Sequence, residues 1–260
     1  MTTIELHAGY TAANVALPIP PAPFLSGRVL WLQNWGHFTL GPDPKATIDF
    51  NHIPRNWTGL VIDDIENNTP DKPRPEWDDT RSLDERIERV RRIRDTLPLA
   101  DVGVYGLPPN QPYRWTSPDA AELYLECSRW RALARWCKVL TPHFYLPPGM
   151  PNPWTHPDGM RVLEGFALLM AACKEMAKVR GYWRTDKTIP IVPVFSYVTL
   201  GDAQPVPVDV QNKLLGMVIR ELKPRRVVFW NHADKDTDPA ALTPYVPSTP
   251  NGYAWAGGTQ

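Results

Sequence analysis

From about residue 100 onward, short apolar runs alternate with stretches whose apolar positions recur at helical spacing. Val102-Gly103-Val104-Tyr105-Gly106 predicts a strand, followed by a helix from about 118, with Ser117 as its cap and Pro118 in its first turn. Val139–Leu146 predicts the next strand, and a helix follows over about 158–180, closed by Gly181. Ile191–Val198 predicts another strand before a helix near 208–222, and Val227–Trp230 predicts the last. Upstream, Arg28–Leu32 and Gly59–Ile62 read as strands, with a short one at Ala46–Phe50 between them. A helix over about 82–97 opens with a Ser82/Glu85 capping box and carries Leu83, Ile87, Val90, Ile93 and Leu97 on one face. Residues 1–26 read as an irregular arm, because Pro18-Ile19-Pro20-Pro21-Ala22-Pro23 cannot be helix interior, and 245–260 read as a tail.

Apolar strands alternating with amphipathic helices predict a parallel sheet with both faces covered. The fold class expected is therefore α/β: a distorted (β/α) TIM-like barrel of about seven strands, folded as a single domain over 1–260. An open doubly wound sheet is the runner-up.

Composition narrows the function classes. Charges balance at 28 basic against 28 acidic, which gives no polyanion or anionic membrane surface a reason to bind. The basic run Glu85–Arg94 contains the i,i+4 pairs Glu85–Arg89 and Glu88–Arg92 and reads as a solvated helix face, not a nucleic-acid surface. No apolar run approaches the roughly 20 residues that span a bilayer. Residues Met1–His7 lack the basic flank and apolar stretch of a signal peptide. Together with an odd, small set of cysteines (Cys127, Cys137 and Cys173, read as buried free thiols), that suggests cytoplasmic synthesis. Thirty prolines in a chain that is 43% apolar point to stiff loops between elements, not to disorder.

The candidate chemistry lies where the Gly59–Ile62 strand runs into Asp63-Asp64-Ile65-Glu66. Strand alternation puts Leu60, Ile62, Asp64 and Glu66 on one face, and Val61, Asp63 and Ile65 on the other. Active sites of parallel α/β proteins collect at the C-terminal ends of strands, so Asp64 and Glu66 are expected to enter the barrel mouth together. Two close carboxylates resist joint ionisation, and the one held protonated can donate to a glycosidic oxygen.

Several segments resemble hyaluronidase-type glycoside hydrolases. Gly59–Glu66 is similar to that family's G-x-V-I-D-[WF]-E strand, and Gly103–Pro108 to G-Y-Y-G-F-P. Pro142-His143-Phe144-Tyr145-Leu146-Pro147 resembles P-S-I-Y-[ML]-P, Ile189–Pro193 resembles L-P-V-L-P, and Val227–Trp230 resembles V-V-L-W. The five segments occur in the family's order over about 59–231. The resemblance implies a retaining hydrolase of N-acetylhexosamine-containing glycans that needs no metal or organic cofactor. It implies Glu66 as general acid/base and Asp64 as the carboxylate orienting the substrate's own acetamido group. Tyr145 and Trp230 would line the reacting sugar, and Tyr105 and Tyr197 complete the expected substrate-binding set.

The chain also departs from the pattern. One extra residue precedes the acidic pair, so Asp63 competes with Asp64 for the orienting role, and face parity favours Asp64. The family's tyrosine after L-P-V-L-P falls on Val194, with Tyr197 the nearest substitute. These departures leave the glycan open, and the alternative is a non-catalytic carbohydrate-binding or structural barrel. Chitinase-like barrels share the mechanism, but Ile62 stands where their D-x-D-x-E begins.

Other motifs carry less. Asp234–Asp238 begins like a calcium loop but has Pro239 at its sixth position and Tyr245 at its twelfth. His143 and His156 lack ligand spacing and read as ordinary polar residues, and no phosphate-binding glycine loop or GxSxG elbow occurs.

Overall fold

The computed structural model describes residues 2–10, 29–33, 38–39, 47–48, 55–64, 80–108, 128, 130–179, 188–199, 204–231 and 246–256. The strands are β1 (Thr2–Tyr10), β2 (Val29–Gln33), β3 (Phe38–Thr39), β4 (Thr47–Ile48), β5 (Leu60–Asp64), β6 (Asp101–Val104), β7 (Val194–Ser196), β8 (Arg226–Asn231) and β9 (Tyr253–Trp255). The helices are α1 (Thr80–Thr96), α2 (Gly159–Ala177) and α3 (Val208–Leu222). The chain is an α/β protein built on parallel sheets.

One sheet runs β7-β8-β1-β9 and another β2-β5-β6, all parallel. β1 lies against β2, so the two sheets are neighbours. Residues 139–146 connect β6 to β7 through the parallel bridges Tyr105–Thr141, Leu140–Ile191 and His143–Val194. Proline explains why that segment pairs only in places. Pro142 and Pro147 have no N–H to give a ladder, and their neighbours pair where an N–H exists, as in Phe144 N–H to Val194 O at 2.8 Å.

Three expectations change. Residues 2–10, expected within an irregular arm, form β1 at the centre of a sheet. Ile4 and Leu6 are wholly buried there, alternating with Glu5, which is partly exposed. The tail beyond 245 likewise supplies β9, paired to β1 over Thr2–Ile4. The short strand expected at 46–50 does form as β4, but it pairs antiparallel with β3 and so stands outside the parallel sheets. β5 consequently sits directly beside β2 in register, Val29 opposite Leu60 and Gln33 opposite Asp64.

The helices follow their apolar stripes. α1 begins at Thr80, two residues before Ser82, so the Ser82/Glu85 box does not mark its start. Its inner stripe, Val90, Ile93 and Leu97, packs on Val61, Val102 and Val104. Arg86 is buried and Arg89 turns inward, so the basic run is solvated on only part of its circumference. Glu88 there pairs with Arg92 at 3.2 Å and Arg91 at 3.5 Å. α2 ends at Ala177, short of Gly181, which lies outside the described residues. α3 matches its expected span and closes at Lys223 in the left-handed conformation, with its N–H bonded to Ile219 O. The helix expected from about 118 falls up to 127 on residues outside the described ones; residues 128 and 130–134 are helical.

Cys137 and Cys173 are buried free thiols, and burial pushes Cys137 up to about 12, so it packs as a small hydrophobe. Cys127 lies outside the described residues. Among the described residues no helix is long and apolar enough to cross a membrane.

Candidate active site

β5 separates its two acids by the alternation of a strand. Asp63 shares a face with Val61, towards α1, and is wholly buried. Arg89 of α1 meets it there, its Nε donating to both carboxylate oxygens at 2.8 and 3.1 Å. Asp64 follows on the face of Leu60 and Ile62 and is partly exposed. Asp63 is thus committed to the helix layer, and Asp64 alone of the two stands on the opposite face. Glu66 lies two residues past the end of β5, outside the described residues.

The neighbouring strands bring four rings together. Tyr105 follows β6, and its N–H bonds to Asp63 O at 3.0 Å, which puts it beside the end of β5. Gly106, at φ 69°, then turns the chain in a conformation that favours glycine, and its N–H bonds to Thr141 O at 2.9 Å. Tyr105 stacks on His143 at 5.0 Å and 17°, and His143 packs against Tyr145 at 5.2 Å. Tyr145 in turn lies nearly parallel to Trp230, 6.0 Å away at 12°. The row therefore crosses the ends of β6, the 139–146 segment and β8. Below it Gly103 lets Val139 and Thr141 approach closely, where a side chain would clash. A Cβ there would meet Thr141 Cγ2 and Val139 Cγ2 at 2.9 Å.

A second aromatic row lies on the other face. Phe144 packs on Phe166 of α2 at 5.6 Å and on Phe195 at 5.7 Å, and Phe195 stacks on Phe229 at 5.3 Å. Tyr197 joins this row through Phe229 at 4.9 Å. Alternation explains the division: His143 and Tyr145 flank Phe144, and Trp230 follows Phe229. Tyr197, expected to substitute for the missing tyrosine, is therefore grouped with the helix-facing rings and not with Tyr145 and Trp230. Val194 is wholly buried, and the small side chain at Ser196 stands in register with Trp230.

Of the expected residues, Asp64, Tyr105, Tyr145 and Trp230 come from adjacent strand ends, while Tyr197 does not join them. His143 reads in sequence as an ordinary polar residue, yet it packs against both Tyr105 and Tyr145, whose rings also meet each other at 6.0 Å. Its position two residues before Tyr145 on an extended segment was the available signal. It is nearly buried, and burial pushes its imidazole down to about 4, so it is neutral at pH 7. His143 Nδ1 has no hydrogen-bond partner among the described residues. No group of three or more His, Cys, Asp or Glu among the described residues could hold a metal ion. The Asp234–Asp238 stretch lies outside them.

No protein-family model matches the sequence, and no curated protein matches it. Among solved structures, a monoclinic crystal structure of bee venom hyaluronidase aligns with TM-score 0.52 and 14% identity, over 84% of this chain and 83% of that one. Bee venom hyaluronidase in complex with a hyaluronic acid tetramer aligns with TM-score 0.49 and 16% identity, over 82% and 81%. The chain has a hyaluronidase-like fold, in agreement with the family resemblance of its strand motifs.

Proposed function

We propose that the protein is a retaining glycoside hydrolase acting on N-acetylhexosamine-containing glycans by substrate-assisted catalysis. The observation that carries this reading is the row Tyr105, His143, Tyr145 and Trp230 running across strand ends beside Asp64. Tyr105 and Trp230, partly exposed at the C-terminal ends of parallel strands, suit the apolar C–H faces of a pyranose, with the buried Tyr145 packed against both, and Asp64 stands at the edge of that surface. The pairings β2-β5-β6, the bridges through 139–146 to β7, the β7-β8-β1 ladder and the contact of β1 with β2 support a single distorted barrel of about seven parallel segments.

In the proposed reaction, Glu66 protonates the glycosidic oxygen while Asp64 orients and polarises the acetamido group of the sugar. The acetamido oxygen attacks the anomeric carbon, the leaving alcohol departs, and an oxazolinium ion forms. Glu66, now ionised, takes a proton from the water that opens this ion, so the product keeps its anomeric configuration. No metal or organic cofactor enters these steps.

A reducing-end assay across hyaluronan, chitin oligomers, chondroitin and peptidoglycan fragments tests the reading, with Glu66→Gln as the control. Wild-type turnover on one substrate, cut about 10²–10⁴-fold in Glu66→Gln, is expected. Equal activity in a folded Glu66→Gln protein would remove Glu66 from its role. The second reading, a carbohydrate-binding or structural barrel without turnover, is favoured by the buried Val194 where the family has a tyrosine. It predicts glycan affinity with no new reducing ends.

A further inference from the structure

Asp63 stands where the motif that Gly59–Glu66 resembles carries isoleucine, immediately before the acid that the two share, Asp64. Isoleucine would belong to the helix layer by its apolarity alone. Asp63 takes the same place, wholly buried on the face of Val61, with Arg89 Nε donating to both its oxygens at 2.8 and 3.1 Å. Without that cation a buried carboxylate is costly, and turning residue 63 towards water relieves the cost. Alternation couples the two acids, so a rotation that turns Asp63 out also takes Asp64 off the opposite face. The residues before them offer little resistance, because Leu60, Val61 and Ile62 are apolar and suit a buried position on either face. Asp63 O also accepts the Tyr105 N–H at 3.0 Å, so the same residue ties β5 to the ring beside its end.

We propose that Arg89 is a positioning residue for the reaction: by holding Asp63 in the helix layer it keeps Asp64 on the opposite face, beside Tyr105, where Asp64 orients the acetamido group. This rests on the glycoside hydrolase reading above. Arg89 acts from behind the strand, through Asp63, and does not itself meet substrate. Its charge carries the effect more than its donors do. Both bonds to Asp63 come from Nε, a position that the amide of a glutamine also reaches, whereas only a cation compensates the buried carboxylate.

The test uses the full chain and whichever N-acetylhexosamine-containing glycan wild type cleaves, at a temperature where circular dichroism shows each variant folded. Arg89→Met is expected to lower kcat about 10²-fold, the scale of a reacting group misplaced from a distance, with KM changed by less than about twofold. Adding Asp63→Ile removes the charge that has to be buried and is expected to return kcat to within about threefold of wild type. Ile93→Ala is the control for loosened packing and supplies the readout that a merely structural role would not separate. It empties a wholly buried site one turn further along the inner stripe of α1, and is expected to lose comparable stability while keeping kcat. If Arg89→Met does not fold, Arg89→Gln replaces it, with a donor kept at the Nε position, the charge gone and kcat expected to fall about tenfold. Unchanged kcat in the folded Arg89 variant, an equal loss in Ile93→Ala, or a double variant as slow as Arg89→Met overturns this proposal and leaves the hydrolase reading standing. A wild type that cleaves none of these glycans overturns both.

Discussion

Arg89 Nε donates to both oxygens of Asp63, at 2.8 and 3.1 Å, from a helix 26 residues further along the chain. The pair joins α1 to β5 and removes from the candidate site one of the two acids that compete for it in sequence. Asp63 is wholly buried and the Arg89 side chain is 13% exposed, so neither partner can turn to water when the other is lost. Breaking such a pair from one side leaves an uncompensated buried charge. Arg89→Met should therefore cost about 3–5 kcal/mol in urea denaturation, far beyond an ordinary surface substitution. Glu88→Ala, which loses only the exposed partners Arg91 and Arg92, should change little. Similar stabilities for the two variants would contradict this account.

Asp64 carries a different expectation. It faces away from α1, and Asp64→Asn should lower turnover. If Asp64 polarises a substrate acetamide, removing the acetyl group from the substrate should reduce kcat much more than affinity, because that interaction is made in the transition state. De-N-acetylated and acetylated oligosaccharides compared side by side, with the new anomer followed by NMR, test this. Equal turnover of both, or an inverted product, would rule out substrate assistance.

β1 makes the N-terminal residues structural. Leu6 is wholly buried between the sheet and its packing partners, with Val227 opposite it in register. Leu6→Ala should cost about 2–5 kcal/mol, the usual range for emptying a buried leucine site. A variant lacking residues 1–10 should fail to give a cooperative unfolding transition, since β8 and β9 would lose the strand between them. Native-like melting of that truncated protein would mean that β1 is dispensable.

The buried imidazole ties stability to pH. His143 has a folded pKa of about 4, against an ordinary value of 6.5. Below pH 6.5 the unfolded chain takes up a proton that the folded chain refuses. Its contribution to stability is therefore complete above pH 6.5, declines as pH falls towards 4, and stays flat below that. At 1.36 kcal/mol per pKa unit the loss across this window is about 3 kcal/mol. Urea denaturation of wild type and His143→Asn at pH 7, 5.5 and 4.5 isolates the effect, because other titrating groups are shared. The stability difference between the two proteins should shrink as pH falls. A difference independent of pH would show that His143 does not titrate this way.

The sequence by itself determined what local periodicity can encode. Alternating apolar runs and helical stripes gave the parallel α/β character, the full span of α3, the strand that ends at Asp64 and the positions of Tyr105, Tyr145 and Trp230 at strand ends. The family resemblance read from those strands agrees with the hyaluronidase-like fold. What periodicity cannot encode is the identity of a distant partner, and the corrections at β1 and β4 have that origin. Thr2–Tyr10 reads in sequence as part of the proline-rich arm, since only β8 and β9, more than 200 residues away, make it a central strand. Thr47–Ile48 has strand character, but whether it joins the parallel sheet or pairs antiparallel with Phe38–Thr39 is decided by neighbours. Parity divided Asp63 from Asp64, yet only the approach of Arg89 fixed which face meets the helix layer. Tyr197 lies in the Phe229 row because its strand fixed its face, whereas His143 packs in one cluster with Tyr105 and Tyr145, which also meet each other. Side-chain direction along a strand is a local property; what stands on the far side of that strand is set by the packing of the whole chain.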